Sequence, residues 1–283
     1  MIGEGRVTVR EVYVRVRREL DSGGVENSRF EAEQLLRGVG IDKTMLITEG
    51  EAPVSGSVSA ELGEMTARRL SGEPLQYILG EWEFCGLPFK VGEGVLIPRQ
   101  DTETIVEVCV EFLKKRADNE RKTLDLCAGS GCIGIALAKE TRAEVTAVEK
   151  SRRAFGYLRE NIALNAVPVA AVLGDILDEG TVGEEFDLIV SNPPYLDDQD
   201  MSALQREVRR EPQTALYGGA DGLDFYRAIL GSYPKRLRRG GMLAVEIGIG
   251  QESAVCGLFC DNGIRPRVRK DLCGVDRVVY GVR

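Results

Sequence analysis

From Lys122 onward, short apolar runs alternate with amphipathic stretches, and this alternation constrains the fold more than any other feature of the chain. The runs predict strands at 123–127, 144–148, 170–173, 186–191, 242–247, 266–270 and 277–281. Helices are predicted between most of them, at 131–140, 152–165, 222–239 and 250–261. Strands separated by helices must pair largely in parallel, which gives a doubly wound α/β sheet with its ligand at the carboxyl ends of the strands.

The first 80 residues read differently. Val9, Val12, Val16 and Leu20 recur at helical spacing until the Asp21-Ser22-Gly23-Gly24 stop, and further helices are expected at 28–38 and 58–70. Between the halves, the segment 80–92 alternates aromatics with glycine punctuation, which predicts a hairpin. The expected organisation is a helical substrate-docking domain at 1–80, a hairpin linker at 81–97 and a catalytic domain at 98–283.

Among 283 residues there is no histidine, which removes the commonest general base, the Ser-His-Asp triad and most zinc enzymes. No metal site is expected. Seven cysteines form no C-x-x-C pair, and their odd number leaves at least one thiol free, so a reducing cytoplasm is the expected setting. No apolar run is long enough for a membrane span, and the N-terminus has no signal-peptide pattern. With 37 basic and 45 acidic residues the net charge is −8, which argues against broad nucleic-acid affinity. The chemistry is expected to come from a small molecule.

Four features carry that chemistry. Asp125 lies in an expected strand that runs into Cys127-Ala128-Gly129-Ser130-Gly131, where small residues let a ligand approach backbone N–H groups at a helix start. Read alone, this is also an ordinary strand-to-helix connection. It is neither the G-x-G-x-x-G fingerprint nor a phosphate-binding loop. Glu149 ends the next strand, placed to accept ribose hydroxyls, though a solvated strand-end glutamate reads the same. Asp175, followed by Ile176, stands after the third strand, where a carboxylate meets an adenine amino group; Gly-Asp is also a common turn. The decisive motif is Ser191-Asn192-Pro193-Pro194-Tyr195. Two prolines hold the chain extended and donate no hydrogen bonds, Asn192 supplies an amide oxygen, and Tyr195 a flat face.

Together these features resemble a class I S-adenosylmethionine (AdoMet)-dependent methyltransferase, with N-P-P-Y marking enzymes that methylate a planar amide or exocyclic nitrogen. The resemblance narrows to the PrmC (HemK) family on Gly72-Glu-Pro-Leu-Gln-Tyr-Ile-Leu-Gly80, Leu96-Ile-Pro-Arg-Gln-Asp-Thr-Glu103 and Arg209-Arg-Glu-Pro-Gln-Thr-Ala-Leu216. Gly218-Gly-Ala-Asp-Gly-Leu223, Glu246-Ile-Gly248 and Asp271-Leu-Cys-Gly-Val-Asp-Arg277 resemble it too. The departures are Cys127-Ala-Gly-Ser-Gly131 for the usual Gly-Thr-Gly-Thr-Gly, Glu149 for Asp, and Gln100 for a second proline.

The resemblance implies a seven-stranded mixed sheet and AdoMet as methyl donor. Its acceptor is the side-chain N5 of the glutamine in the Gly-Gly-Gln motif of peptide chain release factors. It assigns catalysis to Asn192, Pro193 and Tyr195, with Pro194 and Arg99 joining them at the substrate. It assigns the cofactor to Asp125, residues 127–131, Glu149, Asp175, Ile176 and Asn192. Arg99 and Asp101 would shape the pocket wall; Arg206, Arg209 and Arg210 would be either a solvated helix face or a contact to the partner or RNA. Alternatives are a glutamine methyltransferase acting on a ribosomal protein, a DNA or rRNA N-methyltransferase, and an AdoMet-binding scaffold without turnover.

Overall fold

The computed structural model describes residues 7–178, 181–183 and 185–283, which fall into two compact units. The first comprises the described residues up to Gly80 together with Arg206–Arg210; the second is Glu81–Gln205 with Glu211–Arg283. The hairpin, expected as a separate linker, belongs to the second unit, and 206–210 belongs to the first.

The first unit is built from helices α1 (Val9–Ser22), α2 (Ser28–Gly38), α3 (Lys43–Thr48), α4 (Gly56–Leu70) and α5 (Leu75–Leu79). The two longest helices, α1 and α4, start where a side chain replaces the missing helical acceptors. Thr8 and Glu11 form a reciprocal capping box on α1, and the Ser55 hydroxyl accepts from the Val58 N–H on α4. Val12, Val16 and Leu20 are buried in one stripe, as their spacing predicted, and Leu35, Leu36 and Leu62 complete this core. Arg69 is buried against Glu31 at 3.0 Å (Nη2–Oε1) and against Glu207. Arg206, Arg209 and Arg210 are exposed, but they lie on no α-helix. Val208–Arg210 is a single 3₁₀ turn, the Arg206 side chain lies over Gly72, and Arg210 donates to the Ser71 carbonyl at 3.3 Å.

The second unit opens with the antiparallel hairpin β1 (Glu81–Phe84) and β2 (Leu87–Lys90), then α6 (Glu103–Leu113). The alternating part follows: β3 (Lys122–Leu126), α7 (Cys132–Thr141), β4 (Glu144–Glu149), α8 (Arg152–Asn165), β5 (Val169–Leu173) and β6 (Phe186–Ser191). After the short α9 (Asp198–Ser202) come α10 (Asp224–Ser232), β7 (Leu237–Glu246), α11 (Glu252–Asp261), β8 (Arg267–Lys270) and β9 (Asp276–Val282). The seven strands lie in the order β5-β4-β3-β6-β7-β9-β8, and only β9 runs antiparallel to its neighbours. This is the expected doubly wound mixed sheet.

Successive side chains of a strand point to opposite faces, and the two cores follow that rule. Val145, Leu188, Met242 and Ala244 pack with α6, α7 and the hairpin phenylalanines Phe84 and Phe89. Leu124, Ile189, Leu243 and Val245 pack on the other side with Tyr226, Ile229 and Leu230 of α10 and Phe259 of α11. The hairpin is tied to α8, where the Lys90 N–H donates to Asn161 Oδ1 at 2.6 Å and Asn165 Nδ2 donates to the Pro88 carbonyl at 2.9 Å.

One expectation fails here, and one helix lies where none was expected. The helix expected over 222–239 ends at Ser232. Pro234 has no N–H to continue it, and a 3₁₀ turn, Pro234–Arg236, passes the chain into β7, which begins five positions before its expected start. Helix α6 was not foreseen. Its Ile105, Val106, Val108 and Cys109 are mostly β-branched, yet sheet packing holds them helical.

Candidate active site

The β3–α7 connection is a sharp turn built by left-handed residues. Cys127 has φ +58°, Gly129 +57° and Gly131 +83°, and the Gly131 N–H closes the turn on the Ala128 carbonyl at 2.7 Å. A non-glycine residue at Cys127 stores backbone strain on the order of 1–3 kcal/mol. Glu149, at the end of β4, braces the turn from the side: its Oε2 accepts from the Gly129 N–H at 2.8 Å and its Oε1 from the Ser151 N–H at 2.6 Å. Burial raises the Glu149 carboxyl above its ordinary range, and the N–H groups of Ser151, Gly129 and Lys150 oppose that shift. An ionised carboxylate has about four lone-pair positions, so acceptor capacity remains for a diol.

These groups open on a cavity of about 980 Å³ at the carboxyl ends of β3, β4 and β6, at the upper end of the size range for ligand sites. Cys127, Ala128, Gly129, Ser130, Glu149, Asp175, Ile176, Asn192, Pro194 and Arg99 all line it. Nothing stands within 4 Å of where a Cβ on Gly129 would lie, so its backbone faces open space. Asp175 is partly buried, which pushes its pKa up. Lys150 at 2.7 Å and the Leu177 N–H at 3.0 Å outweigh this and hold it below the usual carboxylate range.

Five expected site residues do not line the cavity, among them Asp101, which pairs with Arg277 at 3.2 Å. Asp125 sits behind the turn, where its Oδ2 accepts from the Gly134 N–H of α7 at 2.9 Å while Oδ1 has no partner among the described residues. Gly131 is the N-cap of α7, packed near Leu158 and Ile135. Pro193 is buried. The Tyr195 ring lies beside Gly248, and its carbonyl accepts from Gln251 Nε2 at 2.9 Å.

The Asn192–Tyr195 turn is held from several sides. Ser191 Oγ donates to the Leu126 carbonyl at 2.8 Å, fixing the end of β6 to β3. Gly218 packs so closely that a Cβ there would come within 2.7 Å of the Pro194 carbonyl oxygen and Tyr195 Cα, which accounts for the glycine in Gly218-Gly-Ala-Asp-Gly222. Among the described residues, no donor is bonded to the carbonyls of Pro193 or Pro194. Arg99 is paired with the buried Glu211, whose Oε2 also accepts from the Ile97 N–H at 3.0 Å, so the 97–99 wall is anchored to 211.

Two contributors belong to motifs of the sequence that pointed to no role for them. Thr102 lines the cavity, and Asn192 Nδ2 donates to its hydroxyl at 3.3 Å. Glu246, at the tip of β7, is 1% exposed, and Thr102 and Asn192 favour its ionised form.

A sheet of this order with an open cavity at its strand ends defines a class I methyltransferase. A solved methyltransferase from Pyrococcus furiosus shares the fold, with a TM-score of 0.54 at 21% identity over 78% of this chain and 98% of that one. The family model of the PrmC N-terminal domain matches residues 11–80, and that of the methyltransferase small domain matches residues 100–220. A release factor glutamine methyltransferase of Geobacter sulfurreducens is 45% identical over 278 residues, covering 97% of this chain and 96% of that protein. One from Thermodesulfovibrio yellowstonii is 39% identical, covering 89% and 91%. The chain belongs to the release factor glutamine methyltransferase family, as its motifs indicated, and it is an enzyme of the methyltransferase class.

Proposed function

We propose that the protein transfers a methyl group from AdoMet to the side-chain N5 of the glutamine in the Gly-Gly-Gln motif of peptide chain release factors. The observation that carries this reading is Asn192, held at the cavity wall beside two proline carbonyls without donors.

The cavity suits AdoMet. Its carboxylates outnumber its cations, and both cations are already engaged, Arg99 with Glu211 and Lys150 with Asp175. The result is a negative pocket for a sulfonium cation. Glu149 would hold the ribose, Asp175 and Ile176 the adenine, and the 127–131 turn the methionine end. Asp125 serves this site by fixing the start of α7. When bound, AdoMet supplies a methyl activated enough to need no metal and no covalent enzyme intermediate.

The chain's own task is to make a poor nucleophile competent. An amide nitrogen shares its lone pair with its carbonyl. Asn192 Oδ1 and the Pro193 carbonyl would accept its two hydrogens and favour a geometry in which the lone pair turns toward the methyl. Pro193 is buried, and among the described residues no donor is bonded to its carbonyl. Holding reacting atoms about 3–3.5 Å apart and in line is worth roughly 7–11 kcal/mol of barrier. The product proton leaves to water. Tyr195 acts by packing behind the turn against Gly248, and Pro194 and Arg99 shape the wall met by the substrate chain.

The proposed division of labour gives substrate docking to residues 1–80 and methyl transfer to 98–283, with the hairpin between them. The described residues contain no helix long and apolar enough to cross a membrane, and a cytoplasmic release factor is the proposed partner. The test uses AdoMet with a labelled methyl and three acceptors: a release factor, the same factor with Glu replacing the Gly-Gly-Gln glutamine, and ribosomal proteins. Label in the first alone supports the reading. Label in the ribosomal proteins alone, or in the glutamate variant, overturns it.

A further inference from the structure

Three of the motifs that mark this chain have no role in cofactor or substrate contact as described above: Asp101-Thr102, Glu246-Ile-Gly248 and Asp271 through Arg277. They meet behind Asn192. Glu246 comes from the tip of β7, which pairs with β6 so that Val245 lies opposite Ser191, one residue before Asn192. Thr102, 2% exposed, comes from the turn before α6. Arg277 of β9 is itself buried, donates to Asp271 Oδ2 at 3.2 Å, pairs with Asp101 Oδ2 at 3.2 Å, and reaches the Ile247 carbonyl at 3.4 Å.

The bonding around Asn192 has one consistent direction. A carboxylate can only accept, and a side-chain amide has two donor hydrogens on one end and an acceptor oxygen on the other. Thr102 and Asn192 each favour the ionised form of Glu246, as donors facing a carboxylate do. Asn192 Nδ2 donates to the Thr102 hydroxyl at 3.3 Å, which leaves the hydroxyl hydrogen free to turn toward Glu246. Both partners therefore demand the nitrogen of Asn192, and its oxygen is left for the cavity. Among the described residues Glu246 Oε2 has no hydrogen-bond partner, which is a costly arrangement for a buried carboxylate.

We infer that Glu246, with Thr102, is a positioning residue that fixes the Asn192 side chain with its oxygen toward the substrate amide. This rests on the reading of Asn192 as the acceptor of the substrate's amide hydrogen. Burial pushes the Glu246 carboxyl up to about 7; Thr102 and the charge of Arg277 oppose this, Asp101 adds to it, and Asn192 opposes it. A protonated Glu246 could donate to Asn192 and would remove the demand for nitrogen. Arg277, Asp101 and Tyr195 face Glu246 from the other elements. Of these, Arg277 stays charged through neutral pH, and burial holds the Tyr195 hydroxyl protonated there by pushing it up to about 12.

The test compares the full-length protein with Glu246→Gln, Thr102→Val and Thr102→Ser. The first readout needs no activity: the side-chain NH₂ signals of Asn192, identified by their loss in Asn192→Asp. In the wild type and in Asp101→Asn they shift with a midpoint near pH 7, and in Glu246→Gln that shift is gone. The second readout is steady-state methylation of a release factor. Glu246→Gln and Thr102→Val lower kcat about 10²-fold, the loss expected from a misaligned reacting group, while KM and AdoMet binding stay as in the wild type. Thr102→Ser restores the rate. Wild-type NH₂ signals indifferent to Glu246→Gln, or an unchanged kcat in a folded Glu246→Gln, overturn the inference. If Glu246→Gln does not fold, the Thr102 pair decides by the same criteria. A wild type that methylates no release factor sinks the functional reading, and the NH₂ signals still decide whether Glu246 orients Asn192.

Discussion

At Gly134 the first turn of α7 comes so close to β3 that a Cβ would meet Asp125 Oδ2 at 2.9 Å and Val145 Cγ1 at 3.1 Å. The Gly134 N–H is also what the Asp125 carboxylate binds. Gly134→Ala is therefore expected to destabilise the protein by about 1–3 kcal/mol, the cost of overpacking, as a lowered urea midpoint with unchanged slope. Such single-residue demands explain what the sequence could and could not disclose. Cys127, Gly129 and Gly131 were legible as a turn because small residues between a strand and a helix announce backbone approach. The side to which Asp125 points was not, because strand alternation places its neighbours Leu124 and Leu126 in one core and sends Asp125 behind the turn. Glu246 was quoted within a motif, yet its service to Asn192 exists only once β6 and β7 pair, at positions more than 50 residues apart.

Among the elements, the first unit depends on one buried cation. Arg69 of α4 meets Glu31 of α2 and Glu207 of the returning 206–210 segment. Removing one partner of a buried ion pair leaves an uncompensated charge at a cost of about 3–5 kcal/mol. Arg69→Ala should therefore show faster amide hydrogen exchange across α2 and α4, with β3 to β7 unchanged. The helical stripe of α1 was readable because Val9, Val12, Val16 and Leu20 are all buried on one face. No periodicity announces that residue 207 returns to the first unit, since that contact spans 138 positions. Helix α6 was obscured by the opposite failure, a composition of β-branched residues overruled by packing.

For the whole molecule, two fully buried carboxyls set a pH dependence. Burial raises Asp125 and Glu246 each to about 7, the Gly134 N–H opposing the shift at Asp125 and Glu149 adding to it. Unfolded carboxyls titrate near 4. Between those values the folded state holds more protons than the unfolded, so stability falls as pH rises from about 4 to about 7. Asp175 and Glu73 lie below their ordinary values and act in the other direction, their stabilisation being lost as pH falls through the acid range. Denaturant unfolding should show greatest stability near pH 5 and a decline toward pH 7.5, less steep in Glu246→Gln. Stability rising steadily over that interval would contradict the burial of these charges.

The claim on which the rest depends is that Asn192 directs a methyl from AdoMet onto one amide nitrogen. Tandem mass spectrometry of a purified release factor, after incubation with the protein and AdoMet, tests it at the level of a single atom. The account predicts one added methyl on the side-chain nitrogen of the Gly-Gly-Gln glutamine, absent when Asn192→Ala replaces the wild type while AdoMet binding is retained. An unmodified glutamine with AdoMet bound, or a methyl that persists in Asn192→Ala, would contradict it.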